Sequence, residues 1–408
     1  MAGSTRRTQS SLDLRSLELP PGSRFSSKLN KQAAFERILQ GDFKERALPS
    51  LRWIGLLFNL ALLCAALLGC NSSNKQGQQA NKIIGAGSTF INPIMTHWIA
   101  DFQNSHPGVQ INYQSIGSGG GIQQLKQGLV DFGASDASLD DEKLKEMPPL
   151  VQVPESAGPV CITYNLPELK APLKISGPTL AGIYLGKIKT WQDPEIKKEN
   201  PGASLPSHPV AVVHRSDGSG TTNIFTTFLA KLSPDWQKVG KGLSVNWPVG
   251  LGGKGSEGVS GLVKQTPGAI GYVELSYATE NKLPVAQIKN QAGAWVDPTP
   301  AGTTAAIAAF QNELASDVRT PIVDPPASAK DAYPISGLTF LLVPKQPKGA
   351  AKGNMVKEFV QYIITQGQSS AQSLEYSKLP EGLAHQDQKL LEEVGGAQQT
   401  SNNVQPAH

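Results

Sequence analysis

Lys82-Ile-Ile-Gly-Ala-Gly-Ser-Thr-Phe90 opens the stretch whose reading decides the fold. A short apolar run, Lys82-Ile-Ile84, enters a turn rich in glycine and hydroxyls. Ile91, Ile94, Met95, Trp98, Ile99 and Phe102 then recur at the spacing of one helix face, and Pro107-Gly108 ends that element. Val109, Ile111 and Tyr113 alternate as a strand and lead into Gly117-Ser-Gly-Gly-Gly121. Ile122 to Leu129 predicts a short helix, and Val130-Asp-Phe-Gly133 leads out to Ala134-Ser-Asp136. This β-α-β-α-β order predicts an α/β fold with a largely parallel sheet and ligands at the carboxyl ends of its strands.

Further along, Val210-Ala-Val-Val213 reads as a buried strand feeding His214-Arg-Ser-Asp-Gly-Ser-Gly-Thr221, and Ile224, Phe225, Phe228, Leu229 and Leu232 follow as a helix face. Ile270–Val273 and Leu338–Val343 read as further strands, and Met355–Ile364 and Ala371–Tyr376 as closing helices. Three glycine- and hydroxyl-rich turns therefore stand before helix starts. Free backbone N–H groups point out of a helix end and the macrodipole favours negative charge there, so each turn suits an oxyanion. The plainer reading of Thr89, Ser118 and their neighbours is an ordinary helix cap. The glycines favour the anion, because they let backbone approach a ligand closely. Arg215, preceded by an apolar strand, reads as a planar fork for oxygens. Asp217 is either its orienting partner or a turn residue.

Composition limits the alternatives. The chain has 408 residues, of which 39% are hydrophobic and 17% charged, so it can build cores in about two domains. Its net charge of +4 lies at one end: residues 1–69 carry ten Lys/Arg against five Asp/Glu, and the remainder nets −1. That body has no broad positive field and no basic run with interleaved aromatics, which excludes nucleic acid as the partner.

The apolar run from Trp53 to Gly69, flanked by Arg46 and Arg52, suits an export signal, and Leu67-Leu-Gly-Cys70 resembles a bacterial lipobox with Cys70 as the lipidated residue. An uncleaved anchor helix is the other reading; either one leaves the body outside the membrane. Residues 71–81 read as a flexible tether. The body then keeps one cysteine, Cys161, which reads as a buried strand residue, so no disulfide is expected. The six histidines form no metal-ligand spacing, and neither a metal nor a cofactor is expected. Gly250-Leu-Gly-Gly-Lys-Gly255 lacks the phosphate-loop spacing and reads as a surface loop with Lys254 in solvent.

From about Ile83 to about Leu379 the chain resembles the phosphate-binding lipoproteins of high-affinity phosphate ABC importers, which are type II periplasmic solute-binding proteins. The resemblance rests on Gly85–Phe90, Gly117–Gly121, Val130-Asp-Phe-Gly-Ala-Ser-Asp136, Arg215–Thr221, Gly250–Gly255 and Pro267-Gly-Ala-Ile-Gly-Tyr-Val-Glu274, in family order. Two departures are the long N-terminal head and Gly119, where serine is common. The resemblance implies two α/β lobes joined by two crossover segments, with the ligand cleft between them. Lobe 1 would span 82–156 and 332–408, and lobe 2 would span 157–331. It places the phosphate ligands at Thr89, Phe90 (through its N–H), Ser118, Asp136, Arg215, Ser219, Gly220 (through its N–H) and Thr221. The implied partners are inorganic phosphate and the membrane permease and ATPase of the importer. The protein would be a monomer in the periplasm or cell envelope, held to the membrane by lipid on Cys70, and not an enzyme.

Asp136 alone would first read as a side chain closing a local turn. Beside a bound anion its chemistry is more specific. A carboxylate repels an anion unless it accepts an O–H, which phosphate keeps at neutral pH and sulfate lacks, so Asp136 would select phosphate. A sulfate-like oxyanion is thus the nearer competing ligand. A secreted phosphoesterase with Ser118 or Ser219 as nucleophile would need a base or metal that the sequence does not supply.

Overall fold

The computed structural model describes residues 81–395. The export segment with Cys70, residues 71–80 of the tether and the tail after 395 lie outside them.

Strand β1 (Lys82–Gly87) leads to helix α1 (Asn92–Ser105), which buries the predicted face of Ile94, Met95, Trp98 and Phe102. Strand β2 (Gln110–Ser115) pairs in parallel with β1 along its whole length, and β3 (Phe132–Ser135) pairs in parallel on the other side. Helix α2 (Ser118–Lys126) joins β2 to β3. It starts four residues before the predicted Ile122, because Gly117, at φ 86°, makes the turn and leaves the next three glycines free to be helical.

All fifteen residues of β4 (Leu150–Tyr164) are buried. With both faces covered the strand shows no alternation, and Pro154, Gly158 and Pro159 hide it further. Short β5 (Lys174–Ile175) and helix α3 (Gly177–Tyr184) follow, then β6 (Ala211–Arg215), α4 (Gly220–Leu232), β7 (Leu251–Gly253), α5 (Gly255–Gln265), β8 (Ala269–Glu274) and α6 (Leu275–Asn281). The chain continues through β9 (Gln287–Lys289), β10 (Trp295–Val296), α7 (Pro300–Ala309), β11 (Ser336–Pro344), α8 (Ala350–Ile364) and α9 (Glu381–Glu392).

The main sheet has the order β2-β1-β3-β11-β4-β8-β6-β7, and β10-β9-β5 form a small second sheet. Strand β4 is shared. From Leu150 to Pro159 it pairs antiparallel with β11, and from Val160 to Tyr164 with β8. Two half-sheets of parallel strands, β2-β1-β3 and β8-β6-β7, thus hang on one long antiparallel axis, which gives the α/β fold of the two-lobe type II binding proteins. Their helices pack over a core that includes Trp98, Phe102, Phe132 and Phe359 on one side and Tyr184, Phe225 and Tyr272 on the other.

Two expectations are corrected. Ala371–Tyr376 is not a helix: the segment makes 3-10 turns at Gln366–Ser370 and Gln372–Leu374, and Tyr376 donates its hydroxyl to Phe90 O at 2.6 Å. The closing helix is α9, which the sequence reading passed over. The Gly250–Gly255 loop is also ordered structure, edge strand β7 running into α5, although Lys254 is exposed as expected. Cys161 is buried in β4, as predicted.

Candidate functional site

All eight predicted ligand residues lie at or beyond the carboxyl ends of parallel strands, and they come together from both half-sheets. Thr89 and Phe90 follow β1, Ser118 follows β2 and Asp136 follows β3. Arg215 ends β6, and Ser219, Gly220 and Thr221 open α4. Thr89, Phe90, Ser118, Asp136, Arg215, Ser219 and Thr221 are each 4% exposed or less, so the site lies in the interior between the two halves.

Their polar atoms bridge the halves. The Ser118 hydroxyl accepts from the Gly220 N–H at 3.0 Å and from the Asp136 N–H at 3.3 Å. Thr221 donates its hydroxyl to Asp136 Oδ2 at 3.2 Å, and Ser88 donates to Asp136 Oδ1. A Cβ on Gly220 would stand 2.6 Å from the Asp136 nitrogen, so only glycine lets α4 come this close. Ser219 caps α4, accepting from the Thr222 N–H at 3.1 Å. At Gly119 the departure from serine has a structural reason. Its N–H donates to Gly218 O at 2.9 Å, and an added Cβ would be 3.0 Å from Gly218 Cα.

Arg215 is held rigidly. Its Nε and Nη2 bond Asp217 Oδ1 and Oδ2 at 2.8 and 2.6 Å, a bidentate pair that settles Asp217 as the orienting partner. Burial works against the Asp217 charge, but the arginine outweighs it and holds the carboxyl below the usual range. The third nitrogen, Nη1, turns inward, 3.4 Å from Thr221 Oγ1 and 3.5 Å from Ser256 Oγ. For Asp136 the balance is reversed. Burial pushes it up to about 6, against the pull of Ser88, Arg215 and Thr221. A buried arginine, a buried carboxyl that readily takes or meets a proton, and convergent hydroxyls and N–H groups can hold a small oxyanion that carries one proton.

The nucleophile reading gains nothing here. Ser118 and Ser219 spend their hydroxyl oxygens on backbone N–H groups. His214 stacks on Trp247 with ring centroids 4.8 Å apart, and its Nδ1 lies 3.0 Å from Arg215 O. Among the described residues no group of three or more His, Cys, Asp or Glu could hold a metal. Two residues of the site were missed, Ser88 and Ser256. Ser88 sits inside the quoted first turn; Ser256 follows Gly-Lys-Gly255 at the start of a helix, the same signal as the other three turns.

Fold and site together define a solute-binding domain of the two-lobe kind, and the model of the PBP superfamily domain matches residues 72–366. The chain is 43% identical over 351 residues to the phosphate-binding protein PstS of Xylella fastidiosa strain Temecula1, covering 81% of this chain and 95% of that protein. To the phosphate-binding protein PstS of Methanocaldococcus jannaschii it is 37% identical over 372 residues, covering 85% and 95%. The chain belongs to the PBP superfamily and, within it, to the family of the PstS phosphate-binding proteins. Solved structures bear out the fold. A high-affinity periplasmic phosphate-binding protein, PfluDING, bound with phosphate superposes with a TM-score of 0.60 at 22% identity, covering 76% of this chain and 93% of that one. A putative phosphate ABC transporter substrate-binding protein from Clostridium perfringens with bound phosphate gives 0.53 at 20%, covering 74% and 100%.

Proposed function

We propose that this protein binds inorganic phosphate outside the cytoplasm and delivers it to the membrane permease and ATPase of an ABC importer, without catalysing a reaction. The observation that carries the reading is the pairing of one buried arginine with one buried carboxyl across the two half-sheets. Arg215 Nη1, fixed by Asp217, supplies charge to the ionised oxygens. Asp136 accepts the O–H that phosphate retains, and Thr89, Ser118, Ser219, Thr221 and the N–H groups of Phe90 and Gly220 supply donors around them. On binding, the Phe90 N–H exchanges Ser88 Oγ, the Gly220 N–H Ser118 Oγ and the Thr221 hydroxyl Asp136 Oδ2 for the anion. Sulfate, with no proton to give, meets the Asp136 lone pairs instead. The PstS names of the relatives support the same ligand.

We assign lobe 1 to residues 82–156 and 332–408 and lobe 2 to 157–331. The division is supported by β4, whose pairing passes from β11 to β8 between Pro159 and Val160. Among the described residues no helix is long and apolar enough to cross a membrane. Attachment through a lipid on Cys70 belongs to this proposal on the strength of Leu67-Leu-Gly-Cys70, as do a monomeric state and a periplasmic location.

Calorimetry on the purified chain, stripped of phosphate, tests the reading. One phosphate should bind with micromolar affinity or better, about −8 kcal/mol, and sulfate far more weakly. No heat with phosphate at tens of micromolar protein refutes it.

A further inference from the structure

We propose that Ser256 is a further anion-binding residue, contributed by α5, and that it also aims the hydroxyl of Thr89 at the ligand. The inference rests on the phosphate reading above and names a group outside the eight residues assigned to it.

Three contacts carry the argument. Ser256 is fully buried, and its Oγ lies 2.9 Å from Thr89 Oγ1 on the other half of the molecule. The same Oγ is 3.5 Å from Arg215 Nη1, the arginine nitrogen that Asp217 leaves free. Its backbone N–H donates to Thr89 Oγ1 at 3.2 Å. The hydroxyl is not used as a helix cap, since α5 has no side-chain cap bond. It therefore stands where Thr89 and Arg215, assigned to the ligand on independent grounds, converge.

A hydroxyl has one proton and two lone pairs. Once the Thr89 oxygen accepts the Ser256 N–H, its own proton is free to point at an anion. One of the two hydroxyl protons lies in the 2.9 Å contact between Ser256 and Thr89, where either oxygen can be the donor, so both reach the anion only when that contact opens on binding; Arg215 Nη1 supplies a third donor beside them. A deprotonated phosphate oxygen at this point takes donors from both halves at once, so holding the anion also holds the halves together. Asp217 reinforces the arrangement by accepting from the Gly255 N–H at 3.0 Å, tying the first turn of α5 to the arginine.

The test is Ser256→Ala in the full chain, with phosphate titrated calorimetrically and the fold checked by circular dichroism. The substitution keeps the N–H that orients Thr89 and removes only the side-chain donor. Phosphate affinity should fall about tenfold or more, as for a lost hydrogen bond to a charged group. Affinity within twofold of the parent overturns the inference while leaving phosphate binding intact; absence of binding by the parent chain overturns the functional reading instead. A crystal structure of the unmutated protein with phosphate decides the matter even if the variant fails to fold. Ser256 Oγ within hydrogen-bond distance of a phosphate oxygen is the expected result, and a separation beyond about 3.5 Å from all four oxygens refutes it.

Discussion

Sulfate is the ligand that exposes how Asp136 works, because its affinity should depend on pH in a way that phosphate chemistry does not obscure. Burial raises Asp136 from 3.8 to about 6, despite the opposing pull of Ser88, Arg215 and Thr221. A raised carboxyl is neutral below that value and charged above it. Against the neutral acid sulfate accepts a hydrogen bond; against the carboxylate, lone pairs face lone pairs. Sulfate affinity in the parent protein should then follow the neutral fraction. That fraction is about one in a hundred at pH 8 and about nine in ten at pH 5, a difference of nearly two decades. Asp136→Asn places an amide there that donates at every pH. Its sulfate affinity should be flat over the interval and higher than the parent's at pH 8. Phosphate binding should weaken by about 1–3 kcal/mol, through loss of a charge-assisted hydrogen bond. Competition calorimetry on both proteins from pH 5 to 8 measures all of these. A flat sulfate curve in the parent, or an unchanged phosphate-to-sulfate ratio in the variant, would return Asp136 to a turn-closing role and place selectivity elsewhere.

Gly220→Ala should cost at least about tenfold in phosphate affinity, because its Cβ would meet the Asp136 nitrogen at 2.6 Å and Ser118 Oγ at 2.7 Å and so hold α4 away; parent-like affinity would mean that this approach is dispensable. Binding should depend little on salt, since Arg215 is buried and the body nets −1. A fall of less than about tenfold between low and moderate ionic strength is expected in a titration series, and a steep many-charge dependence would place the anion on an exposed basic surface. Cys70→Ala should release the body from membranes or leave it as precursor on a fractionation gel; a variant cleaved at the same bond and still membrane-attached would count against lipidation.

Much of the site could be read from the chain because each anion turn is local. Strand, glycine, hydroxyl and helix start follow one another within a few residues at Gly85–Phe90, Gly117–Gly121 and Arg215–Thr221, and backbone chemistry at a helix end needs nothing from elsewhere. Elements with one buried face were equally readable, α1 above all, because amphipathic spacing records which side faces the core. The reading of Asp136 as a ligand was already less local: its neighbours favoured a turn, and the family resemblance reversed that order.

Tertiary structure decided what depends on distant partners. Only the end of strand β4 around Cys161 was legible, because the strand is covered on both faces and its sequence carries no period; Pro154 stands opposite the register shift at Thr339 and Phe340, and Pro159 where the pairing passes from β11 to β8. The Asp217 choice between turn and orienting partner turned on the bidentate contact to Arg215, and the Asp136 charge balance on the burial created where the start of α4, at Gly220 and Thr221, comes against it. The absence of a side chain at Gly119 makes sense only beside Gly218, ninety-nine residues away in the chain. Ser256 joined the site because α5 brings it against Thr89, 167 residues distant. Sequence alone determined the local groups able to meet an anion. Which of them share one interior point, and with what charge, was set by the two half-sheets meeting across β4, because convergence and desolvation are properties of the packed molecule.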